Sequence, residues 1–204
     1  MNSSPDSKFF VLCGKLVDLV KINLLWLLCC LPVVTIGAST TAMVTCLYAF
    51  REGSDCGGKV FFSAFRKSFG TATMAWLLMA FLGVMLVADY VIVAGLNFPG
   101  RMAVIVLIFF LLFALVLVMG MFFPLLSQFP GKLKELAINA VLLCIANLPK
   151  MLLVTAMNLL PVLLFLLLPK VFVLVGFVFI LCGFPLMGLY DINVLEKIFA
   201  QFRE

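Results

Sequence analysis

The sequence predicts an all-α fold: a polytopic transmembrane helix bundle of about five crossings, joined by cytoplasmic amphipathic connecting helices. Three observations carry this. First, 66% of the 204 residues are apolar, only 11% are charged, and mean hydropathy is +1.30. Soluble domains are about 45–50% apolar and about 25% charged, and a soluble chain of this size has too much surface to hide the excess. Second, the apolar text comes in runs of about twenty residues, the length that spans a hydrocarbon core as helix. Third, Lys and Arg gather at the ends of these runs, as the positive-inside rule expects. The period-two alternation of a membrane β-barrel is absent. The whole chain, 1–204, reads as a single integral membrane domain.

Residues 1–21 read as an amphipathic N-terminal segment. Lys15, Asp18 and Lys21 share one helical face, and Asp18 can pair with either lysine. These charges interrupt the apolar core that a cleaved signal peptide needs, so this end is expected to be retained. Residues 22–50 read as a broken first membrane segment. Pro32 ends or kinks its first half. Thr35, Gly37, Ala38, Ser39, Thr40 and Thr41 then interrupt the apolar course before Met43 to Phe50 resumes it. The connection 51–68 holds Arg51, Lys59, Arg66 and Lys67, with Phe61, Phe62, Phe65 and Phe69 at helical spacing. It is expected to lie on the membrane surface as an amphipathic helix.

Transmembrane helices are expected at 71–95, 102–126, 150–168 and 171–190. Asn97-Phe98-Pro99-Gly100 forms the turn between the first two, and Pro124 marks the inner end of the second. Leu136 to Leu148 is apolar but roughly half a bilayer long. The tail from Asp191 is amphipathic through Ile192, Leu195, Ile198, Phe199 and Phe202. A short repeat is visible in Phe123-Pro124-Leu125 and Phe184-Pro185-Leu186, with Leu31-Pro32-Val33 as a more divergent third copy.

Charge sets the topology. The connections 51–70 and 127–150 carry seven Lys or Arg, whereas the turns 95–101 and 168–171 carry one each. The later helices therefore run out, in, out, in, with a cytoplasmic C-terminus. The N-terminal region admits two arrangements. If residues 16–50 cross once, Lys8, Lys15 and Lys21 start outside; if they form a re-entrant hairpin, those lysines stay inside. The charge rule suits the hairpin, and the repeat favours one crossing, which makes the count five.

Two candidate ligand sites follow from the same text. In the broken segment, Thr35 or Ser39 can cap a half-helix whose free amides face a ligand, with Gly37 and Thr40 beside it. The competing and favoured reading is that these small residues let another helix approach and the hydroxyls satisfy neighbouring carbonyls. Asp89 is a lone carboxylate in a helix, a functional position by default, although it lies near the outer boundary, within reach of Arg101. Asn23, Asn139, Asn147 and Asn158 are expected to bond between helices, and Trp26 and Trp76 to pack inside them.

Several function classes are disfavoured. The net charge of +5 comes from scattered residues rather than a dense cluster, so no nucleic acid is expected. There is no histidine, and the seven cysteines show no CxxC spacing, so no metal is expected. No cofactor is expected either. Gly53, Gly57 and Gly58 lack the Gly-Lys-Ser/Thr ending of a phosphate loop, because Lys59 is followed by Val60. No base, nucleophile or carboxylate pair argues for an enzyme.

Residues Asp18-Leu19-Val20, Asn23 to Leu28 and Leu31 to Thr41, with the Phe61–Phe69 connection and Asn147-Leu148-Pro149, resemble the YesL-like family of bacterial membrane proteins. The likeness is most specific over 14–41. It implies a small multi-helix protein of the bacterial cytoplasmic (inner) membrane, with no established biochemical activity and members often encoded beside carbohydrate-uptake systems. The expected function is a non-enzymatic accessory of sugar ABC permease subunits, touching its partner through Phe61, Phe65, Arg66, Lys67 and Phe69. The alternative is an independent small-solute transporter or channel that uses residues 31–41 and Asp89. The two differ in whether a polar cavity exists at mid-membrane depth.

Overall fold

The computed structural model describes residues 5–200, so Phe202 of the tail pattern lies outside the described residues. The described chain is helical throughout: α1 (Pro5–Cys30), α2 (Ile36–Arg51), α3 (Gly58–Gly95), α4 (Arg101–Gln128), α5 (Leu133–Ala146), α6 (Leu148–Leu167), α7 (Pro169–Val178) and α8 (Phe184–Phe199). Five helical stretches are long and apolar enough to cross a membrane: Val33–Arg51, Gly58–Gly95, Arg101–Gln128, Leu148–Leu167 and Gly176–Phe199. The outer faces of α3 and α4 are lined with exposed apolar side chains, among them Val84, Val91, Val106 and Phe110. That is the surface a lipid-facing helix presents. The chain is a multi-pass, all-α membrane bundle.

The break at Pro32 turns the chain back on itself. Pro32 is extended (φ −74°, ψ 112°), and a single 3-10 turn, Val33–Thr35, leads into α2. The Thr35 hydroxyl closes the turn, donating to the carbonyls of Cys29 (2.6 Å) and Pro32 (2.8 Å). α1 and α2 then run antiparallel. The Ser39 hydroxyl donates to Trp26 O at 3.0 Å, and Trp26 Nε1 donates to Thr40 Oγ1 at 3.3 Å. Leu25 lies near Gly58 at the start of α3, and farther from the turn Leu19 and Ile22 pack in one cluster with Cys46, Leu47, Cys56 and Phe61. The turn hydroxyl and the helix–helix contacts hold the two halves of residues 16–50 side by side and antiparallel, as in the hairpin arrangement, while Val33–Arg51 remains one of the five candidate spans.

Three expectations are corrected. The N-terminal amphipathic segment and the first apolar run are one helix, α1, since nothing between Val20 and Asn23 breaks it. The surface helix and the crossing at 71–95 are likewise one helix of 38 residues, about 57 Å at 1.5 Å per residue. Gly70 does not interrupt it: a lone glycine costs a helix only about 1 kcal/mol, and packing of Phe61, Ala72 and Ala75 on one side outweighs that. Finally, the amphipathic tail is no tail. Ile192, Leu195, Ile198 and Phe199 of α8 are fully buried.

α8 joins the two cores. Ile192 belongs to the cluster with α1, α2 and the start of α3, whereas Leu195, Ile198 and Phe199 pack with Met121, Phe122 and Leu125 of α4 and Met151 of α6. Pro124 lies inside α4 rather than ending it. The chain turns between α3 and α4 at Gly100, whose φ of +94° suits only glycine. α5 is short, as its apolar length predicts, and α6 begins with Pro149 in its first turn, where the missing N–H costs nothing.

Between α7 and α8 the helix widens into a π turn, Phe179–Gly183. Such a turn leaves carbonyls without their ordinary donors. Asn23 of α1, wholly buried, supplies them: its Nδ2 donates to Phe179 O at 3.0 Å and Ile180 O at 2.6 Å. One polar side chain thus ties the first helix to the last.

Candidate functional site

The hydroxyls of the 31–41 stretch are engaged inside the protein. Thr35 closes the turn, Ser39 caps a carbonyl of α1, and Thr41 donates to Gly37 O at 3.0 Å. Gly37 lets α2 meet α3 at backbone distance: a Cβ there would sit 2.5 Å from Ala72 O, 2.7 Å from Trp76 Cβ and 3.0 Å from the Phe123 ring. Trp76 reaches over the turn and donates from Nε1 to Val33 O at 2.8 Å. This is the close-packing arrangement. Of the group, Thr40 and Thr41 also line clefts.

Asp89 is exposed on α3 and in no ion pair among the described residues. Arg101 bonds instead to Asn97 Oδ1 at 3.2 Å. The expected Asp18 pair is present, with Lys21 at 3.2 Å. Of the other asparagines, Asn147 bonds within its own turn to Leu143 O, and Asn139 is exposed.

The aromatic and basic residues of α3 divide between two faces. Phe61 is wholly buried in the hairpin core and Phe65 is half-buried above it, their rings stacked at 6.4 Å. Phe61 is therefore a core residue rather than a contact for a partner, because it sits on the α2 side of α3. Phe62, Arg66, Lys67 and Phe69 are exposed. Beside them a groove of about 670 Å³ runs between α2, α3 and the α4–α5 connection, lined by Lys59, Lys67, Ser63, Thr45, Ser127 and Gln128 among others. No carboxylate lines it. Several of its hydroxyls donate to carbonyls of their own helix, Thr45 to Thr41, Ser68 to Ala64 and Ser127 to Pro124.

A second cleft, of about 330 Å³, lies between α2, α4, α6 and α8. Trp26, Phe123 and Phe184 form aromatic walls, with the Trp26 and Phe184 rings 4.7 Å apart. Phe123-Pro124 and Phe184 of the short repeat thus open on the same space. Asp191 stands in it. Its Oδ2 accepts from Asn158 Nδ2 at 2.8 Å, whereas its Oδ1 is sealed from solvent and has no hydrogen-bond partner. Asn158 also donates to Val154 O. Sequence reading missed this pair, since Asp191 stood at the start of an assumed polar tail. The signal was there: Asn158 interrupts one apolar run, and Asp191 is followed by Ile192, Leu195 and Ile198 at core spacing.

In the 52–57 loop, burial and the nearby Asp18 and Asp55 carboxylates push the Cys56 thiol above its ordinary range. Residues 19–90 match DUF624, a protein family of unknown function. No curated protein and no solved structure matches the chain. The family match covers most of the α1–α2 hairpin and of α3, so of the cleft only Trp26, Thr40, Met43 and Val44 fall inside it.

Proposed function

We propose that this protein is a non-enzymatic accessory of membrane solute uptake, docking on a permease subunit through the outer face of the first third of α3. The observation that carries the reading is that face itself. Phe62 and Phe69 stand exposed beside Arg66 and Lys67, and neither cation has an acidic partner among the described ion pairs. Aromatic side chains and arginine are the residues that interface centres favour. The carbohydrate specificity rests on the resemblance of residues 14–41 to the YesL-like family of bacterial inner-membrane proteins. The same end of the bundle carries the basic connections, and the positive-inside rule supports a cytoplasmic side for it. The internal engagement of Thr35, Ser39 and Thr41 weighs against a transport site in the broken segment.

A photo-crosslinking residue at position 62 or 69, activated in native membranes, is the test. Capture of a sugar-permease subunit is expected, and Arg66→Glu should cut its recovery roughly tenfold, the scale of a moderate interface contact. Recovery of the protein with no permease subunit attached would sink the reading.

A further inference from the structure

The Asp191 cleft has no part in that docking reading, yet it has the properties of a built site. Three features stand together. A carboxylate is held at one oxygen by Asn158 and left bare at the other, out of contact with solvent. Trp26, Phe123 and Phe184 wall the space, and an aromatic face attracts a cation. Pro124 lacks an N–H, so Gly120 O, on the same wall, is deprived of its intrahelical donor. A carboxylate, a freed carbonyl and aromatic faces all favour positive charge. The volume is at the lower end of small-ligand pockets, which run from about 300 Å³. A hard metal ion does not fit this chemistry, because it demands six or more oxygen ligands and most of the walls are apolar. A carboxylate inside a membrane bundle is costly and marks function by default.

We propose that the cleft between α2, α4, α6 and α8 binds a small apolar organic cation, with Asp191 as its counter-ion and Trp26, Phe123 and Phe184 around its apolar body. Asn158 fixes the carboxylate by holding Oδ2, and among the described residues Asp191 stands as the one charged residue on the cleft wall.

The test uses purified full-length protein in detergent and benzyltrimethylammonium as probe, with the neutral isostere neopentylbenzene as control. Binding is followed by Trp26 fluorescence, and Trp26→Phe identifies the signal. Saturable binding of the cation is expected, at least tenfold tighter than the isostere. Asp191→Asn should abolish that preference and Asp191→Glu should keep it. Equal binding of cation and isostere, or an unchanged cation affinity in Asp191→Asn, overturns the proposal. Should Asp191→Asn fail to fold, Gly120→Leu decides. A Cβ at Gly120 meets nothing nearer than the Met151 methyl at 3.7 Å, an ordinary contact, so the added side chain can fill the cleft. Loss of binding then supports the site, and unchanged binding overturns it.

Discussion

At the residue scale, two glycines show how the same substitution has opposite consequences. In a helix Gly→Ala normally gains about 1 kcal/mol. At Gly37 the new methyl would meet a backbone carbonyl, Ala72 O, at 2.5 Å and the Trp76 Cβ at 2.7 Å. Neither can move without shifting α3. At Gly188 the nearest atom, also too close at 2.6 Å, is the tip of the Leu47 side chain, which can rotate away. Gly37→Ala is therefore expected to destabilise by about 1–3 kcal/mol through overpacking, and Gly188→Ala by clearly less. Thermal unfolding in detergent checks the order; equal losses would mean that α2 and α3 do not touch at Gly37. Cys56 gives a second residue-scale test. Its pKa is raised, so the thiol stays protonated, and unreactive, to higher pH than an ordinary thiol. Burial is the larger cause and the Asp18 carboxylate the next. Asp18→Asn removes one negative charge, lowers the pKa and should speed maleimide labelling of Cys56 in the weakly alkaline range. No change in rate would separate α1 from the 52–57 loop.

At the scale of elements, the sequence reader sees apolar runs and breaks but not which break wins. Pro32 with Thr35 was legible as an interruption, and so were the Pro99-Gly100 turn and the short α5. What composition could not reveal is continuity. The charges at Lys59, Arg66 and Lys67 suggested a separate surface helix, yet they occupy one side of α3 while Phe61, Ala72 and Ala75 hold its other side in the core. The carboxylate of Asp191 likewise signalled an end of the membrane segment, when its helix continues to Phe199. The π turn has no sequence signature of its own; it exists because Asn23, distant in sequence, satisfies two of its carbonyls. A π turn is a one-residue insertion into an α-helix. Deleting Ile180 should restore regular helix and leave α8 close to its present rotation, because the wide turn Phe179–Gly183 sweeps about the same angle as one residue fewer of α-helix. Asn23→Ala should cost about 1–3 kcal/mol by leaving the carbonyls bare. Chemical unfolding in detergent checks this, and an Asn23→Ala variant as stable as the parent would show that Asn23 does not hold the π turn.

For the whole molecule, the doubled-back first helix pair fixes which ends share a side. Leu19 and Ile22 pack with Cys56, and Arg51 at the end of α2 pairs with Glu196 near the end of α8, Nη2 to Oε2 at 2.6 Å. That ion pair is half-exposed and contributes at most about 1 kcal/mol, so its value is as a landmark. It places the end of α8 beside the end of α2, and the hairpin places the start of α1 there too. In a cysteine-free background, single cysteines replacing Lys15, Asp55 and Lys197 should therefore be labelled from the same side of a sealed membrane by an impermeant maleimide. A single passage through residues 16–50 would put Lys15 on the side opposite Asp55. A cysteine replacing Phe98, in the turn between α3 and α4, should be labelled only from the other side, since α3 separates the two. Labelling of Lys15→Cys and Asp55→Cys from opposite faces would dismantle the hairpin and with it the shared end on which the docking face of α3 stands.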